Sequence, residues 1–311
     1  MPLLRPRGNP GSPLAGLVVV LPRSADRAGA MVAELAGRGA EPKLMPLIDF
    51  EEPESSRELD EALRMLGQGR FEWMVITSIT TVRALKHRAA ALGTTLKALS
   101  GDTKIAAVGS GTAAVLVAEG LHVDLVPEGT MDAVGLVADW PPPGEPRPET
   151  ALRTNVFLPQ ADIAADTIFE GLMDKGWQVL PVVAYHTVDH PARTERRLSA
   201  VLESASPALT GAELEPITVE EFNRGVAEKA IDAVVLTSPS VARRLHQLSP
   251  DLPPHVLLVA IGNRTAREAG TLRLDVAATA TAPTPAGIAD ALTEALKTRT
   301  APKPKDDDEL S

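Results

Sequence analysis

The chain is 311 residues long, carries a formal net charge of −10 and contains no cysteine. That length suits two domains of about 150 residues each, and the lack of cysteine excludes thiolate nucleophiles, disulfides and cysteine-held metal clusters. The acidic charge and an aromatic content of 3% argue against a nucleic-acid binder, and no apolar run reaches the roughly 18 residues of a membrane helix. We therefore expect a cytoplasmic protein with no nucleic-acid or membrane partner.

Both ends of the chain are predicted to be disordered. Four prolines interrupt residues 1–16, so this leader lacks the continuous apolar stretch of a signal peptide. The tail, residues 298–311, is rich in charge and poor in apolar side chains, a composition that does not form a core.

Between the two ends, short apolar runs alternate with helical patterns. Continuous apolar runs separated by amphipathic segments, such as residues 28–37 and 112–118, indicate buried parallel strands with crossover helices. The sequence therefore predicts an α/β fold. The predicted strands are residues 17–21, 73–76, 105–108, 156–158, 179–183, 233–236 and 256–261.

Three segments occur twice, in the same order. Leu21-Pro22-Arg23 matches Leu158-Pro159-Gln160, and Val75-Ile76-Thr77-Ser78 matches Val235-Leu236-Thr237-Ser238. The third pair is Val108-Gly109-Ser110-Gly111-Thr112-Ala113 and Ile261-Gly262-Asn263-Arg264-Thr265-Ala266. The chain therefore contains an internal duplication. The proline-rich residues 141–146 between the two halves are predicted to form a loop.

Two of the repeats place hydroxyl groups directly after a predicted strand. Thr77-Ser78 and Thr237-Ser238 each precede a predicted helix at the carboxyl edge of a sheet, where open α/β sheets bind their ligands. Each pair alone is also explained as an ordinary helix N-cap, because serine and threonine are preferred there.

The glycine-containing repeats predict the same arrangement at two more helix starts. Gly109 and Gly262 are expected to permit a tight turn after a strand, and Thr112 and Thr265 to open the next helix. The backbone amides at such helix starts suit a carboxylate or a phosphate. Neither turn has the glycine pattern of a dinucleotide site or a P-loop, so we expect another kind of anion.

No metal and no cofactor are predicted. The six histidines are scattered, and the close pair His186 and His190 lacks the HExxH context of a zinc site. Solvated surface histidines explain this pair better than metal ligands do.

A series of short motifs runs along the chain. They are Leu21-Pro22-Arg23, Leu44-Met45-Pro46-Leu47, Thr77-Ser78, Val108-Gly109 with Thr112-Ala113, Val126-Pro127, Tyr185-His186-Thr187, Thr237-Ser238-Pro239-Ser240 and Ile261-Gly262 with Thr265-Ala266. In this order, the motifs resemble the uroporphyrinogen-III synthase family over residues 17–292. Each motif is short, and the specificity lies in the series. Two positions depart from the family, since Thr80 stands where asparagine is frequent and Gln160 where many members carry a basic residue.

The resemblance implies two similar parallel-sheet α/β domains of discontinuous topology, with the active site in the cleft between them. A two-stranded antiparallel linker, residues 44–50 and 182–188, would join them. The first domain would combine residues 17–43 with 189–297, and the second would be residues 51–181.

The resemblance also implies the reaction. The substrate would be hydroxymethylbilane, a linear tetrapyrrole with acetate and propionate chains, and the product uroporphyrinogen III, formed with loss of water and inversion of ring D. Such a cyclising hydro-lyase serves haem, sirohaem and cobalamin biosynthesis. We expect a monomer that needs no cofactor and receives its substrate from hydroxymethylbilane synthase.

Tyr185, the single tyrosine of the chain, is the expected proton donor. It lies in a strand-like run and is otherwise explained as a tyrosine packed on a half-buried strand. Thr265 is the second expected catalytic residue. The expected substrate-binding residues are Arg23, Thr77, Ser78, Gly109, Ser110, Thr112, Thr237, Ser238, Ser240 and Gly262.

Two other functions fit parts of the pattern. A non-catalytic two-domain sensor protein that closes on an anion needs the same helix starts. A two-domain glycosyltransferase is also conceivable, but the chain is short for it and shows no diphosphate clamp.

Overall fold

The computed structural model describes residues 11–144, 155–198 and 214–300. The strands are β1 (Val18–Leu21), β2 (Glu41–Leu44), β3 (Ile48–Glu51), β4 (Trp73–Ile76), β5 (Lys104–Ala107), β6 (Asn155–Ala161), β7 (Gln178–Asp189), β8 (Ala233–Leu236), β9 (Leu257–Ala260) and β10 (Val276–Thr279). The helices are α1 (Ala25–Gly37), α2 (Arg57–Gly67), α3 (Ile79–Ala91), α4 (Leu96–Ser100), α5 (Ser110–Ala118), α6 (Ala133–Asp139), α7 (Thr167–Asp174), α8 (Val219–Ala227), α9 (Pro239–Leu248), α10 (Asn263–Thr271) and α11 (Pro285–Thr300).

The described part of the chain divides into two compact units. The first lies within Met1–Asp49, Asp189–Pro191 and Ser206–Ser311, and the second within Phe50–Val188 and Ala192–Ala205. Each unit is built on a five-stranded sheet. The active-site cleft stays a prediction.

In the first unit the strand order is β10-β9-β8-β1-β2, and all neighbouring strands are parallel. Strands β1, β8 and β9 are buried at every residue because helices cover both faces of the sheet. On one face Val19 packs with α1 and α11, and on the other Val20 packs with α8, α9 and α10. This unit therefore confirms the predicted parallel α/β architecture.

In the second unit the strand order is β3-β7-β6-β4-β5, and the β7-β6, β6-β4 and β4-β5 pairs are parallel. Its core contains Trp73, Trp140 and Trp177, with α6 and α7 packed on the same face of the sheet. The second linker strand, predicted as residues 182–188, is the later part of β7, which begins at Gln178.

The repeated segments lie in strands, or directly after strands, at equivalent positions of the two sheets. In the first sheet they belong to the neighbours β9-β8-β1, and in the second to β5-β4-β6. Each sheet therefore takes one repeat from one half of the sequence and two from the other half. The linker prediction for residues 44–50 needs correction, because Leu44 closes β2 in the first sheet and β3 begins only at Ile48.

The predicted disordered leader is wrong for residues 11–16. Leu14 is fully buried (0% exposed) in the core formed by β1, α1 and α11. Its N–H donates to Arg38 O at 3.1 Å, and Gly16 N–H donates to Gly39 O at 3.0 Å. The prediction followed the prolines and overlooked an apolar side chain that fills a core position.

The predicted tail also begins too early. Helix α11 continues to Thr300, and Arg299 Nη1 donates to His255 O at 3.0 Å. Residues 301–311 lie outside the described part, as do residues 145 and 146 of the predicted loop. Residues 141–144 form neither helix nor strand.

Residues 192–198 pack on the second unit, although the predicted first domain included them. Leu198 N–H donates to Phe50 O at 3.0 Å, and the Arg193 guanidinium binds the buried Glu51 carboxylate at 2.7 Å. This hydrogen bond holds the pKa of Glu51 below its ordinary value. The buried carboxylate needs a cationic partner, and the chain supplies it from this segment.

Candidate functional site

In the first sheet the strand order reverses between β1 and β8. The chain leaves β1 through α1 towards β2, and it leaves β8 through α9 towards β9, on the opposite side. Helices α1 and α9 also lie on opposite faces of the sheet. Such a reversal opens a crevice at the carboxyl ends of the strands, where open α/β sheets bind ligands. Arg23 follows β1 at this point, and Thr237 follows β8.

Ser238 caps the helix that follows β8. Its backbone is extended, and its Oγ accepts a hydrogen bond from Val241 N–H at 3.2 Å. Pro239 occupies the first helical position, where its fixed φ fits the helix. Thr237 and Ser240 are half-buried, and Ser240 Oγ accepts from Arg243 Nη2 at 3.5 Å. The N-cap explanation of Ser238 therefore holds.

Arg23 lies at the same reversal point of the sheet. It is half-buried, and its Nη1 donates to Arg27 O at 3.3 Å. Its backbone N–H donates to Leu21 O at 2.7 Å. The side chain is therefore held against the start of α1, and β1, which precedes Arg23, is the neighbour of β8, which precedes Thr237.

Helix α10 begins at the next strand along, β9. Gly262 is its N-cap, and Thr265 is the third helical residue, only 3% exposed. The prediction that Thr265 opens the helix is therefore wrong by two positions. The same correction applies to Thr112 in α5, which begins at Ser110 after the N-cap Gly109.

The two N-cap glycines are not required by backbone conformation. Their φ values, −146° at Gly109 and 177° at Gly262, are extended values that any residue adopts. A Cβ at either position would meet no atom within 4 Å. The chain bends at both positions, but the prediction that glycine is needed for the bend is wrong. Ser110, the first residue of α5, is exposed.

In the second sheet the strand order reverses between β4 and β6. The chain leaves β4 towards β5 and leaves β6 towards β7, on the other side. Thr77 and Ser78 follow β4 at this point. Ser78 is the N-cap of α3, and its Oγ accepts from Thr81 N–H at 3.1 Å.

Tyr185 joins this second edge from β7. It is 6% exposed, and its hydroxyl lies 3.1 Å from Ser78 Oγ, a contact in which either oxygen can donate. Its ring meets Phe50 edge-on, with 5.4 Å between ring centroids and an interplanar angle of 86°. The structure therefore places the phenol hydroxyl at the start of α3, in contact with Ser78 of the predicted Thr77-Ser78 pair.

Three residues in the region of Tyr185 were not among the predicted site residues. Asp162 directly follows β6 and hydrogen-bonds the segment around Tyr185. Ile79 and Ile163, which follow Ser78 and Asp162, are 36% and 49% exposed although both are large and apolar. The only sequence signal was an isoleucine directly after the polar residue that follows each strand, and a single isoleucine does not show whether its side chain is buried or exposed.

The described residues offer no metal site or membrane segment. Among residues 11–144, 155–198 and 214–300, no three histidine, aspartate or glutamate side chains come together as metal ligands would. No helix in the part of the chain that the structure describes is long and apolar enough to cross a membrane. That the protein uses no cofactor stays a prediction.

Comparison with known proteins identifies the family. The family model described as uroporphyrinogen-III synthase HemD matches residues 29–290. A uroporphyrinogen-III synthase of Synechococcus elongatus is 30% identical over 176 residues, which cover 56% of this chain and 62% of that relative. The match therefore spans less than two thirds of the relative's own length.

Two solved structures share the fold. A mutant uroporphyrinogen III synthase from Thermus thermophilus aligns with a TM-score of 0.60 at 19% identity, covering 91% of this chain and 99% of that chain. The uroporphyrinogen-III synthetase of Helicobacter pylori aligns with a TM-score of 0.51 at 14% identity, covering 91% and 100%. Since the family model matches most of the residues of both units, the chain belongs to the uroporphyrinogen-III synthase family.

Proposed function

We propose that this chain closes hydroxymethylbilane to uroporphyrinogen III, with loss of one water and inversion of ring D. Family membership supports the proposal. The observation that carries it is the position of the Tyr185 hydroxyl, 3.1 Å from Ser78 Oγ at the carboxyl edge of the second sheet.

The chemistry of the reaction defines what the site must do. The terminal C–O bond of hydroxymethylbilane breaks, and the hydroxyl leaves as water with a proton from a donor. The substituted carbon of ring D attacks the resulting azafulvene, and the spiro intermediate fragments and recloses through the unsubstituted carbon. That carbon then loses its proton. One donor that gives a proton at the first step and regains one at the last is therefore sufficient.

Tyr185 is the proposed donor. A phenol hydroxyl can donate a proton to a leaving hydroxyl group, and general-acid help of this kind contributes about 10²- to 10⁴-fold. Ser78 Oγ lies within hydrogen-bond distance, so it can stabilise the phenolate while the proton is away.

Substrate carboxylates are the proposed partners of the helix starts. A Cβ at Gly109 or Gly262 would meet no atom within 4 Å, so there is open space beside the starts of α5 and α10, and amides at a helix start favour negative charge. Because the chain carries a net charge of −10, long-range attraction cannot supply this binding. Short-range hydrogen-bond donors must therefore bind the carboxylates. Besides the helix amides, these donors are Arg23 and the hydroxyls of Thr237 and Ser238.

Pyrrole rings are the proposed partners of the two exposed isoleucines. Ile79 and Ile163 follow the neighbouring strands β4 and β6, on either side of the reversal point. Exposed aliphatic side chains gain free energy when an apolar ring face covers them. They would hold a ring near Tyr185, which favours the attack that inverts ring D over direct closure.

Further features are proposed from composition and family. They are a monomeric state, a cytoplasmic location, delivery of the substrate by hydroxymethylbilane synthase and the absence of a nucleic-acid partner. The lack of cysteine and the acidic charge support the location and the lack of a nucleic-acid partner.

The isomer composition of the product tests the proposal. Hydroxymethylbilane, generated by its synthase, is incubated with and without the full chain, and the oxidised uroporphyrins are separated as isomers I and III. We expect isomer III with the chain and isomer I without it. Isomer I alone in both samples contradicts the proposal. Saturable binding of hydroxymethylbilane together with that result would favour the sensor alternative.

A further inference from the structure

Asp162 hydrogen-bonds three successive residues of β7. Its N–H donates to Tyr185 O at 3.1 Å, and its Oδ1 accepts from Thr187 N–H at 2.9 Å. Its Oδ2 lies 3.0 Å from Nδ1 of His186. One residue at the end of β6 therefore fixes the chain at Tyr185 and for two positions beyond it.

These bonds form where the regular pairing of β6 and β7 breaks. Gln160 pairs with Val183, but Ala161 pairs with Tyr185, so Ala184 is an extra residue on β7. The alternation of burial breaks at the same place, because Ala184 and Tyr185 are both buried, at 1% and 6% exposed. An extra residue of this kind turns the following side chain to a new direction, here that of Tyr185.

β6 ends at Ala161, so the strand cannot pair with the residues after Tyr185. The Asp162 carboxylate takes over at this point and accepts the Thr187 N–H that a continued strand would accept. A charged acceptor makes a stronger hydrogen bond than a neutral one. The side chain therefore replaces the sheet in holding the segment that carries Tyr185.

We propose that Asp162 is a positioning residue for Tyr185: it keeps the phenol hydroxyl at Ser78 by holding the chain on the far side of the extra residue. The consequence for turnover rests on the proposed function. The consequence for the order of Tyr185 does not, since it follows from the hydrogen bonds alone. A misplacement of about 1 Å at a reacting group can cost about 10²-fold in rate.

The single tyrosine allows a direct test that needs no substrate. Full-length protein labelled with ¹³C at the tyrosine ring gives one phenol signal, that of Tyr185. We expect one sharp signal in the wild type and a shifted or broadened signal in Asp162→Ala. Asp162→Asn keeps an oxygen that accepts from Thr187 N–H, so it should restore most of the sharp signal.

Asp124→Ala is the matched control. Asp124 Oδ2 accepts from Ile105 N–H at 2.8 Å, so the control also removes a carboxylate that binds strand backbone in the same unit. It should leave the Tyr185 signal unchanged. An unchanged signal in Asp162→Ala, or an equal change in Asp124→Ala, overturns the proposal.

Kinetics give the second readout. Asp162→Ala should lower kcat for isomer III about 10-fold with little change in KM, and should cost less than about 2-fold in a Tyr185→Phe background. An equal loss in both backgrounds shows that Asp162 does not act through Tyr185. An equal loss in His186→Ala assigns the effect to the imidazole instead. If the wild type makes no isomer III, the proposed function fails while the tyrosine signal still decides the role of Asp162.

Discussion

The carboxyl edges of the two sheets share one design, yet only the second receives a phenol hydroxyl. Ser78 and Ser238 both cap a helix from an extended backbone, with cap hydrogen bonds of 3.1 and 3.2 Å. The difference comes from the strand that lies two places along the sheet from the strand preceding each cap, across the point where the strand order reverses. In the first sheet this is β2, with 4 residues, and in the second it is β7, with 12 residues, which carries Tyr185.

This difference distinguishes the repeated segments, which occur in both sheets, from the strand segment around Tyr185, which has no copy in the first sheet. The repeated segments supply the proposed binding groups at both edges, whereas the proposed proton donor, Tyr185, lies outside the repeat. Duplication of a helix start therefore explains why both edges carry the proposed anion-binding groups, but it does not explain the proposed proton transfer. In this account the first edge binds, and the second both binds and transfers a proton.

The largest expected effect concerns the stability of the first unit. Leu14→Ala should lower the free energy of unfolding by about 2–5 kcal/mol, because it leaves a cavity among β1, α1 and α11. Urea unfolding followed by circular dichroism measures the loss. The fluorescence of Trp73, Trp140 and Trp177, all in the second unit, shows whether that unit is affected.

Deletion of residues 1–10 is the control, since their composition predicts no contribution to the core. A Leu14→Ala protein as stable as the wild type would mean that residues 11–16 do not contribute to the first unit. A fluorescence midpoint that stays fixed while the circular dichroism midpoint falls would confine the loss to the first unit.

A smaller effect distinguishes the two caps. Ser78→Ala and Ser238→Ala should each cost about 1 kcal/mol of stability, since each removes the oxygen that accepts the N–H of the third helical residue, Thr81 or Val241. Only Ser78→Ala also removes the neighbour of the Tyr185 hydroxyl. Its kcat for isomer III should therefore fall further than that of Ser238→Ala, which should mainly raise KM. Equal kinetic losses would contradict the division of roles between the edges.

The fold could be predicted from the sequence because its strands are short, continuous apolar runs. Strands β4 and β8 match the predicted residues 73–76 and 233–236 without change. Strands β2 and β10 could not be found this way. Their sequences, Glu-Pro-Lys-Leu and Val-Ala-Ala-Thr, lack a continuous run of large apolar residues, because both strands lie at the edges of the sheet.

The sequence pointed to those parts of the candidate site that lie in repeated or family-like segments. It did not point to the parts whose importance depends on tertiary contacts. The hydroxyl pairs and Tyr185 could be selected from the sequence, although their roles stay predictions. Asp162 could not, because its importance comes from an extra residue on the neighbouring strand. Leu14 was missed for a similar reason, since one leucine among prolines carries no periodic pattern.

The kinetics of Tyr185→Phe beside Thr265→Ala test the account most directly. Tyr185→Phe removes only a hydroxyl, so it should fold normally and lower kcat for isomer III about 10-fold or more, with KM nearly unchanged. Thr265→Ala changes the first edge, and should raise KM and lower the rate by about 2- to 10-fold, the range of one lost hydrogen bond. If Tyr185→Phe matches the wild type in rate and isomer ratio while Thr265→Ala is impaired, proton transfer does not belong to the second edge.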